Sequence, residues 1–301
     1  MITLNSERGF VKVENWEDIE SLPGFTTELD PKEHELNEII GRYIFKDYIK
    51  CGLSNCHTPH GKGYIVSTKS GPVTNIGHNC GKNHFHIEFD QLSKAFERDI
   101  ALHTYSENIG STLIVLELYR ERMADARVGA QGADELYKKG QLLIKRTSGC
   151  PEAALSIISK MIQNRSPNLL KNREASEKEI DDLEAIQGNE LPRPYYMEEK
   201  VGELHGLSFL YAENDLRSLM IIDLEEGLKR LTELDVDNGE FKELKYWSSW
   251  CSDIDRKIEN VLSLLESGRR LLNEANLLQI SQLIADPKQR RSYVEFIRKK
   301  I

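Results

Sequence analysis

Cysteine and histidine, whose side chains ligate soft metal ions, are concentrated in one short window of this chain. Residues 51–86 hold three of the five cysteines and five of the eight histidines of the 301-residue sequence. The residues are Cys51, Cys56, Cys80, His57, His60, His78, His84 and His86. Thiolate and imidazole groups are the usual ligands of zinc in closed, four-coordinate structural sites. The window therefore predicts a bound zinc ion.

Three of the zinc ligands are expected to be Cys51, Cys56 and Cys80. The fourth stays open among the histidines, with His60 favoured, His84 next, and His57, His78 and His86 as further candidates. A β-hairpin with its turn at residues 69–72 pairs residue 68 with 73, and this register sets His60 beside Cys80. His84 is the alternative, because a Cys-x3-His pair entering a helix is a common closing half of treble-clef-like fingers. Three thiolates and one imidazole would close the site, so the metal is expected to stabilise the fold rather than catalyse.

Glycines flank the predicted ligands and are expected to relieve backbone crowding there. They are Gly52, Gly61, Gly63, Gly77 and Gly81. A disulfide would be another use of paired cysteines. The N-terminus shows no basic start followed by an apolar stretch, so a cytoplasmic protein with reduced thiols is predicted. Cys150 and Cys251, which lie far from the cluster, are expected to be ordinary buried thiols.

The segment GYIVSTKSGPVTNIGHNCGKNHF, with the cysteines and histidines before it, resembles the N-terminal finger of uncharacterised bacterial and prophage proteins. The resemblance covers residues 51–89. It implies a zinc finger attached to a helical region, and it implies no activity. A setting in a prophage or phage-defence system is a separate hypothesis.

The elements around the cluster are short and mixed. Strands are predicted at residues 9–13, 63–68 and 73–77. Asp30-Pro31 predicts a helix start, and the apolar positions from Leu36 to Ile44 form one helical face. Residues 45–89 otherwise have a β-like, turn-rich sequence. The first 89 residues are therefore predicted to be a small α/β zinc-binding, treble-clef-like module.

The rest of the chain has apolar residues at helical spacing. A long helix is predicted from Asp90, interrupted near Gly110. Further helices are predicted at 134–146, 152–164, 174–187, 212–234, 240–272 and after Asp286-Pro287. The fold class is therefore mainly α, with a long antiparallel helical or coiled-coil body in two parts, 90–190 and 195–301.

Arg98 and His103 form an R-x4-H motif in this helical context. The motif resembles the catalytic motif of HEPN ribonucleases, helical and usually dimeric proteins. The resemblance implies metal-independent RNA cleavage by these two residues. Chance is the competing interpretation, because an arginine and a histidine at this spacing arise often in a chain of this length.

The last helix is basic. Its exposed candidates for phosphate contact are Lys288, Arg290, Arg291 and Arg298. Such a helix is typical of RNA or phosphate binding. In the competing interpretation, the apolar stripe of Tyr293, Val294, Phe296 and Ile297 packs while the charges stay solvated. The net charge of −9 argues against nucleic-acid binding over the whole surface.

The predicted function is non-catalytic binding, as an adaptor or sensor. A protein and a nucleic acid are ranked equally as the partner. The helical body leaves homo-oligomerisation open, and HEPN-like ribonuclease activity is the alternative. No apolar run approaches the ~20 residues that cross a bilayer, so no membrane partner is expected. The sequence has no GxxxxGK[ST], GxGxxG, GxSxG or HExxH motif.

Overall fold

The computed structural model describes residues 1–6 and 9–301 and divides them into two compact units. Unit 1 consists of Met1–Ser111 and Asp235–Ser249, and unit 2 of Thr112–Leu234 and Trp250–Ile301. These units do not coincide with the predicted ranges 1–89, 90–190 and 195–301. The structure is 58% helix and 19% strand, which confirms the mainly α class with a sheet near the N-terminus.

Unit 1 is built on a five-stranded antiparallel sheet with the order β2-β1-β3-β4-β5. The strands are β1 (Ile2–Ser6), β2 (Gly9–Val13), β3 (Leu36–Lys50), β4 (Pro59–Thr68) and β5 (Val73–Gly77). A short helix, α1 (Trp16–Glu20), follows β2, and a long one, α2 (His78–Ile114), follows β5 directly. Strands β2 and β5 have the predicted bounds, and β4 begins four residues earlier than predicted.

Strand β3 occupies the region where the sequence pattern indicated a helix, so the helix prediction for residues 31–44 is wrong. Buried residues lie at positions 36, 39, 41 and 43 of this strand. Its pairing with β4 shifts between Leu36 and Glu38 and again between Ile39 and Gly41. Each bulge adds a residue to β3. The inward-facing residues are thereby spaced by three at the start of the strand, which imitates a helical face.

The β4–β5 hairpin is confirmed, but its register differs by one residue from the prediction. Ser67 pairs with Val73, where residue 68 was expected to do so. Thr68, the last residue of β4, closes the turn, since its N–H and its hydroxyl both donate to Pro72 O, at 2.9 and 3.0 Å. Gly71 has a φ of 111°, which a glycine adopts without steric cost.

Both faces of the sheet are covered by apolar side chains. Successive residues of β4 point to opposite faces, so Val66 joins one cluster and Ile65 the other. The first cluster combines Leu36, Ile39, Val66 and Ile76 of the sheet with Phe89, Phe96 and Ile100 of α2. The second combines Ile2, Tyr43, Ile65 and Val73 with Ile19 of α1. Cys51 is buried in the first cluster, with Cys56 and Cys80 packed against it.

Helix α2 is kinked at His86, whose φ of 50° and ψ of −128° are not helical. The kink packs Phe89 against Gly81, where an added Cβ would lie 2.3 Å from the ring. Lys82 Nζ and Asp90 Oδ1, which lie on either side of the kink, form an ion pair at 2.7 Å. The β-like character predicted for residues 78–89 is therefore wrong. The helix also ends at Ile114, beyond the interruption expected near Gly110.

Unit 2 is mostly helical. Its helices are α3 (Leu116–Arg127), α4 (Ala133–Ile144), α5 (Glu152–Gln163), α6 (Glu177–Gln187), α7 (Glu226–Glu233), α8 (Phe241–Leu271, which enters this unit at Trp250), α9 (Glu274–Leu278) and α10 (Pro287–Lys300). The Asp286 side chain accepts a hydrogen bond from the Lys288 N–H and caps α10, as the sequence predicts. A π-helical stretch, Arg217–Glu225, precedes α7.

A two-stranded antiparallel sheet of β6 (Asn168–Glu174) and β7 (Tyr196–Glu203) interrupts the helices of unit 2. The all-helical character predicted for 195–301 is wrong at β7. Both strands are rich in charged residues, so they lack the apolar alternation that signals a strand. The coiled coil stays a prediction. In the described ranges, none of the helices combines the length and the apolarity needed to cross a bilayer.

Two glycines of α2 give a matched test of this packing. Gly81→Ala forces a methyl group into the Phe89 ring, so we expect a loss of about 1–3 kcal/mol in the free energy of unfolding. Gly110→Ala meets no atom within 4 Å and should gain about 0.5–1 kcal/mol. Urea unfolding followed by circular dichroism measures both. A Gly81→Ala midpoint at or above that of Gly110→Ala would contradict the packing at the kink.

Candidate metal centre

The three predicted cysteine ligands come together at the edge of the first apolar cluster of unit 1. The Sγ atoms of Cys51, Cys56 and Cys80 all lie within 4.8 Å of one another, and those of Cys56 and Cys80 are 3.3 Å apart. Thiolates bound tetrahedrally at about 2.3 Å from a metal ion are about 3.8 Å from each other. All three are free thiols. They could therefore hold a metal ion.

Cys51 is positioned by strand β5. Asn75 O accepts a hydrogen bond from the Gly52 N–H at 2.8 Å, and Asn75 Nδ2 donates to Lys50 O at 2.8 Å. The Cys51 N–H donates to Thr58 O at 3.1 Å, which closes the loop that follows β3. Cys51 is only 1% exposed. Asn75 was not singled out from the sequence, although a polar residue in the middle of a buried five-residue strand is the signal for such a role.

The other two thiols flank the hairpin in the chain, with Cys56 before β4 and Cys80 after β5. Cys56 ends a tight turn in which its N–H donates to Leu53 O at 3.1 Å. This turn is fixed by Leu29, whose N–H donates to Gly52 O and whose carbonyl accepts from the Ser54 N–H, both at 2.9 Å. Cys80 lies in the first turn of α2, directly after β5. The β4–β5 hairpin thus brings the ligand segments together, as the sequence predicts.

The flanking glycines stand where a side chain would clash. An added Cβ would lie 2.1 Å from Thr74 Oγ1 at Gly52, 2.4 Å from Tyr43 Oη at Gly63 and 2.9 Å from Phe45 O at Gly61. At Gly77 it would lie 3.1 Å from the His60 ring, and Gly81 meets Phe89 as described above. The predicted role of these glycines in relieving crowding is confirmed.

His60, the favoured fourth ligand, is not grouped with the thiols. Its Nε2 lies 2.5 Å from Tyr43 Oη, and its Nδ1 lies 2.9 Å from Thr58 O. Tyr43 is fully buried, and its hydroxyl also accepts a hydrogen bond from Asn75 Nδ2 at 3.2 Å. Both ring nitrogens therefore have partners, one in strand β3 and one in the loop before β4. The register argument for His60 does not hold, because β5 ends at Gly77 and Cys80 is already helical.

His84, the alternative fourth ligand, lies one helical turn after Cys80 and therefore on the same face of α2. It is half-buried, and no residue in the described ranges hydrogen-bonds to its ring. At the 4.8 Å spacing of the thiols, neither His84 nor any other described histidine or carboxylate joins the set. His57 Nδ1 lies 3.3 Å from Cys51 O, and its Nε2 lies 3.5 Å from Glu28.

The metal-free thiols differ in acidity. Burial raises the pKa of Cys51, and it raises the pKa of Cys80 to about 12. Burial acts in the same direction on Cys56, but hydrogen bonds with the hydroxyl and backbone of Thr58 and with the neighbouring thiols outweigh it and lower the pKa of Cys56. Thiolates this close repel one another, so ionising all three requires a cation between them.

Arg98 and His103 contact different neighbours within unit 1. The Arg98 guanidinium carbon lies 5.5 Å from the centroid of the Phe241 ring. The His103 ring packs edge-on against Phe10 at 5.6 Å, and its Nδ1 lies 3.5 Å from Glu107 Oε2. Positions five apart on a helix point about 140° away from each other. The structure does not bring the two side chains to a common point, and the ribonuclease alternative stays a prediction.

The basic residues of α10 fall into two kinds. Arg290 donates from Nε and Nη2 to Ile284 O, at 3.0 and 2.7 Å, and Arg298 Nε lies 3.4 Å from Glu274 Oε1. Lys288 and Arg291 are exposed and form no ion pair within the described residues. The apolar stripe of this helix is packed, with Tyr293, Phe296 and Ile297 buried. The packed stripe agrees with the competing interpretation, and nucleic-acid contact by these cations stays a prediction.

The difference in acidity predicts an order of thiol reactivity. In metal-free protein at about pH 7.5, Cys56 should be alkylated first by iodoacetamide, because the thiolate is the nucleophile. Cys150, which is buried with a pKa raised to about 12, should react last. Peptide mapping by mass spectrometry over time measures the order. Modification of Cys51 or Cys80 ahead of Cys56 would contradict the predicted electrostatics.

No protein-family model, no curated protein and no solved structure matches this chain. Any inference about the function of this chain therefore rests on its own residues. The group of metal-ligating side chains that the described residues bring together is the thiol set of Cys51, Cys56 and Cys80.

Proposed function

We propose that Cys51, Cys56 and Cys80 hold a structural zinc ion, and that the module it closes is a non-catalytic binding platform. The observation that supports this most is the approach of three thiols from two segments to within 4.8 Å of one another. Thiolate-rich sites favour zinc among the ions that proteins commonly hold in structural sites.

A structural role follows from where the thiols lie. Cys51 is in the apolar cluster, and Cys56 and Cys80 pack against it. A bound ion would cross-link the loop after β3 to the start of α2. It would also neutralise thiolates that otherwise repel one another in a partly buried site. The free energy of metal binding would then contribute to the free energy of folding.

His84 is the proposed fourth ligand. Both ring nitrogens of His60 have hydrogen-bond partners, whereas the His84 ring has none among the described residues. A change of side-chain rotamer would turn His84 towards Cys80, one turn earlier on the same helix face. With His84 bound, zinc would have no open position for water or substrate, which supports binding rather than catalysis. The proposed partner is a protein or a nucleic acid.

Metal content tests the centre directly. Wild-type protein purified without chelator should carry about one zinc per chain by elemental analysis. Cys51→Ser, Cys56→Ser and Cys80→Ser should each lose most of it. Cys150→Ala and Cys251→Ala are the matched controls, because both residues are buried away from the thiol set, and both variants should keep the zinc. Wild-type protein with well under one zinc would refute the proposal.

Two histidine variants separate the proposed ligand from the hydrogen-bonded neighbour. His84→Ala should weaken zinc affinity by roughly 10-fold or more, because a ligand is lost. His60→Ala should keep the zinc stoichiometry but lower the free energy of unfolding, because Tyr43 loses a buried partner. Competition with a chromogenic chelator measures the affinities. Loss of zinc in His60→Ala together with full retention in His84→Ala would reverse the assignment.

Zinc binding should release protons. The pKa values of Cys51 and Cys80 are raised, so both thiols are protonated at neutral pH and must lose a proton to ligate. At about pH 7.5 we expect at least two protons released per zinc, and an affinity that falls as the pH falls. Titration calorimetry in buffers of different ionisation enthalpy counts them. Release of less than one proton would show that the thiols are already ionised or do not bind the metal.

A further inference from the structure

Unit 2 contains a cavity of about 700 Å³ whose lining differs from that of the thiol site. The end of α5, strands β6 and β7, and the segment leading into α10 all contribute to its walls. Small-molecule sites in proteins typically enclose roughly 300–1,000 Å³. The cavity is therefore large enough for a ligand the size of a nucleotide.

Cations dominate the charge of this lining. Lys160, Lys171 and Arg290 face the cavity, and Glu198 is the one carboxylate among its lining residues. None of the three cations forms an ion pair with a carboxylate in the part of the chain that the structure describes. Other arginines of the unit are paired, for example Arg173 with Glu179. Unpaired cations around a concave surface create a positive potential that attracts anions.

Arg290 is held in place by the protein itself. Its Nε and Nη2 donate to Ile284 O, at 3.0 and 2.7 Å, which fixes the plane of the guanidinium group. Nη1 makes no hydrogen bond to the described residues and keeps its donors for a ligand. A guanidinium group with a fixed orientation suits a phosphate or carboxylate oxygen better than a mobile one, because less entropy is lost on binding.

The two lysines come from different elements, Lys160 from α5 and Lys171 from β6. Both are exposed and have flexible stems, so their ammonium groups can follow an anion. Asn164, Asn168 and Asn172 add amide groups to the same lining. Amides can donate and accept hydrogen bonds, which suits polar groups other than phosphate.

Aliphatic side chains complete the wall, among them Ile157, Leu170 and Leu283. They offer an apolar surface to a ring or another flat group. We propose that this cavity binds a phosphorylated small molecule of nucleotide size, with its phosphate held by Lys160, Lys171 and Arg290. The proposal is independent of the metal centre, whose residues all belong to unit 1.

Titration calorimetry with ATP, AMP and adenosine on the full-length protein tests this site. Affinity should decrease from ATP to AMP to adenosine, and higher salt should weaken ATP binding, because the attraction is electrostatic. Lys160→Glu and Lys171→Glu should each lower the affinity for ATP by about 10-fold or more, since each removes a charge-assisted contact. Lys178→Glu is the matched control. It reverses the charge of an exposed lysine on α6, which is not a lining residue, and should leave ATP affinity within about 2-fold.

Neither lysine side chain has a hydrogen-bond or ion-pair partner among the described residues, so both variants should keep the wild-type melting temperature. Lys160→Gln, which removes the charge without reversing it, should show a smaller loss of affinity in the same direction. Equal binding of adenosine and ATP would overturn the proposal, as would no binding of ATP at about 1 mM. Wild-type affinity in Lys160→Glu would overturn it too. Affinity for oligonucleotides that exceeds that for ATP and grows with length would assign the surface to a nucleic acid instead.

Discussion

The close approach of three sulfur atoms, which prevents them from all ionising without a cation, is the constraint on which the proposed metal centre of unit 1 depends. The hairpin and the packing of α2 bring Cys56 Sγ and Cys80 Sγ to 3.3 Å, beside a Cys51 that is almost fully buried. Protonated thiols tolerate this spacing and three thiolates do not. The proposed metal ion would neutralise the sulfur atoms and link two segments of chain. The proposed zinc would therefore allow all three thiols to ionise in an arrangement that the packing already provides.

The sheet supports this arrangement through a small buried polar network. Asn75 holds the loop that presents Cys51 and also donates to Tyr43, whose hydroxyl contacts His60. Buried polar groups that are mutually hydrogen-bonded define one arrangement of the chain around them. The network explains why His60, which is near the cysteines in sequence, contacts Tyr43 of the sheet and is not grouped with the thiols. It also explains why Gly63 admits no side chain, because an added Cβ would lie 2.4 Å from Tyr43 Oη.

Unit 2 shows a different chemistry, in which fixed and flexible cations share one cavity. The guanidinium group of Arg290 is oriented by the carbonyl of Ile284. The flexible side chains of Lys160 and Lys171 could adjust to an anion in the cavity. In the sequence, the C-terminal helix is notable for its many basic residues. In the structure its residues serve separate purposes, because Tyr293 and Phe296 pack, Arg298 lies near Glu274, and Arg290 faces the cavity.

The sequence alone predicted that the thiols of Cys51, Cys56 and Cys80 come together, and it predicted the hairpin between them, the crowded glycines and the capped last helix. All of these follow from residue type and local spacing. Features that depend on contacts between distant parts of the chain were decided by the tertiary structure. Pairing with β1 and β4 made residues 36–44 part of a strand, and the kink at His86 packed Phe89 on Gly81. His60 contacts Tyr43 and is not grouped with the thiols. The cavity of Lys160, Lys171 and Arg290 is of the same kind, because residues from α5, β6 and α10 meet there only after long-range packing.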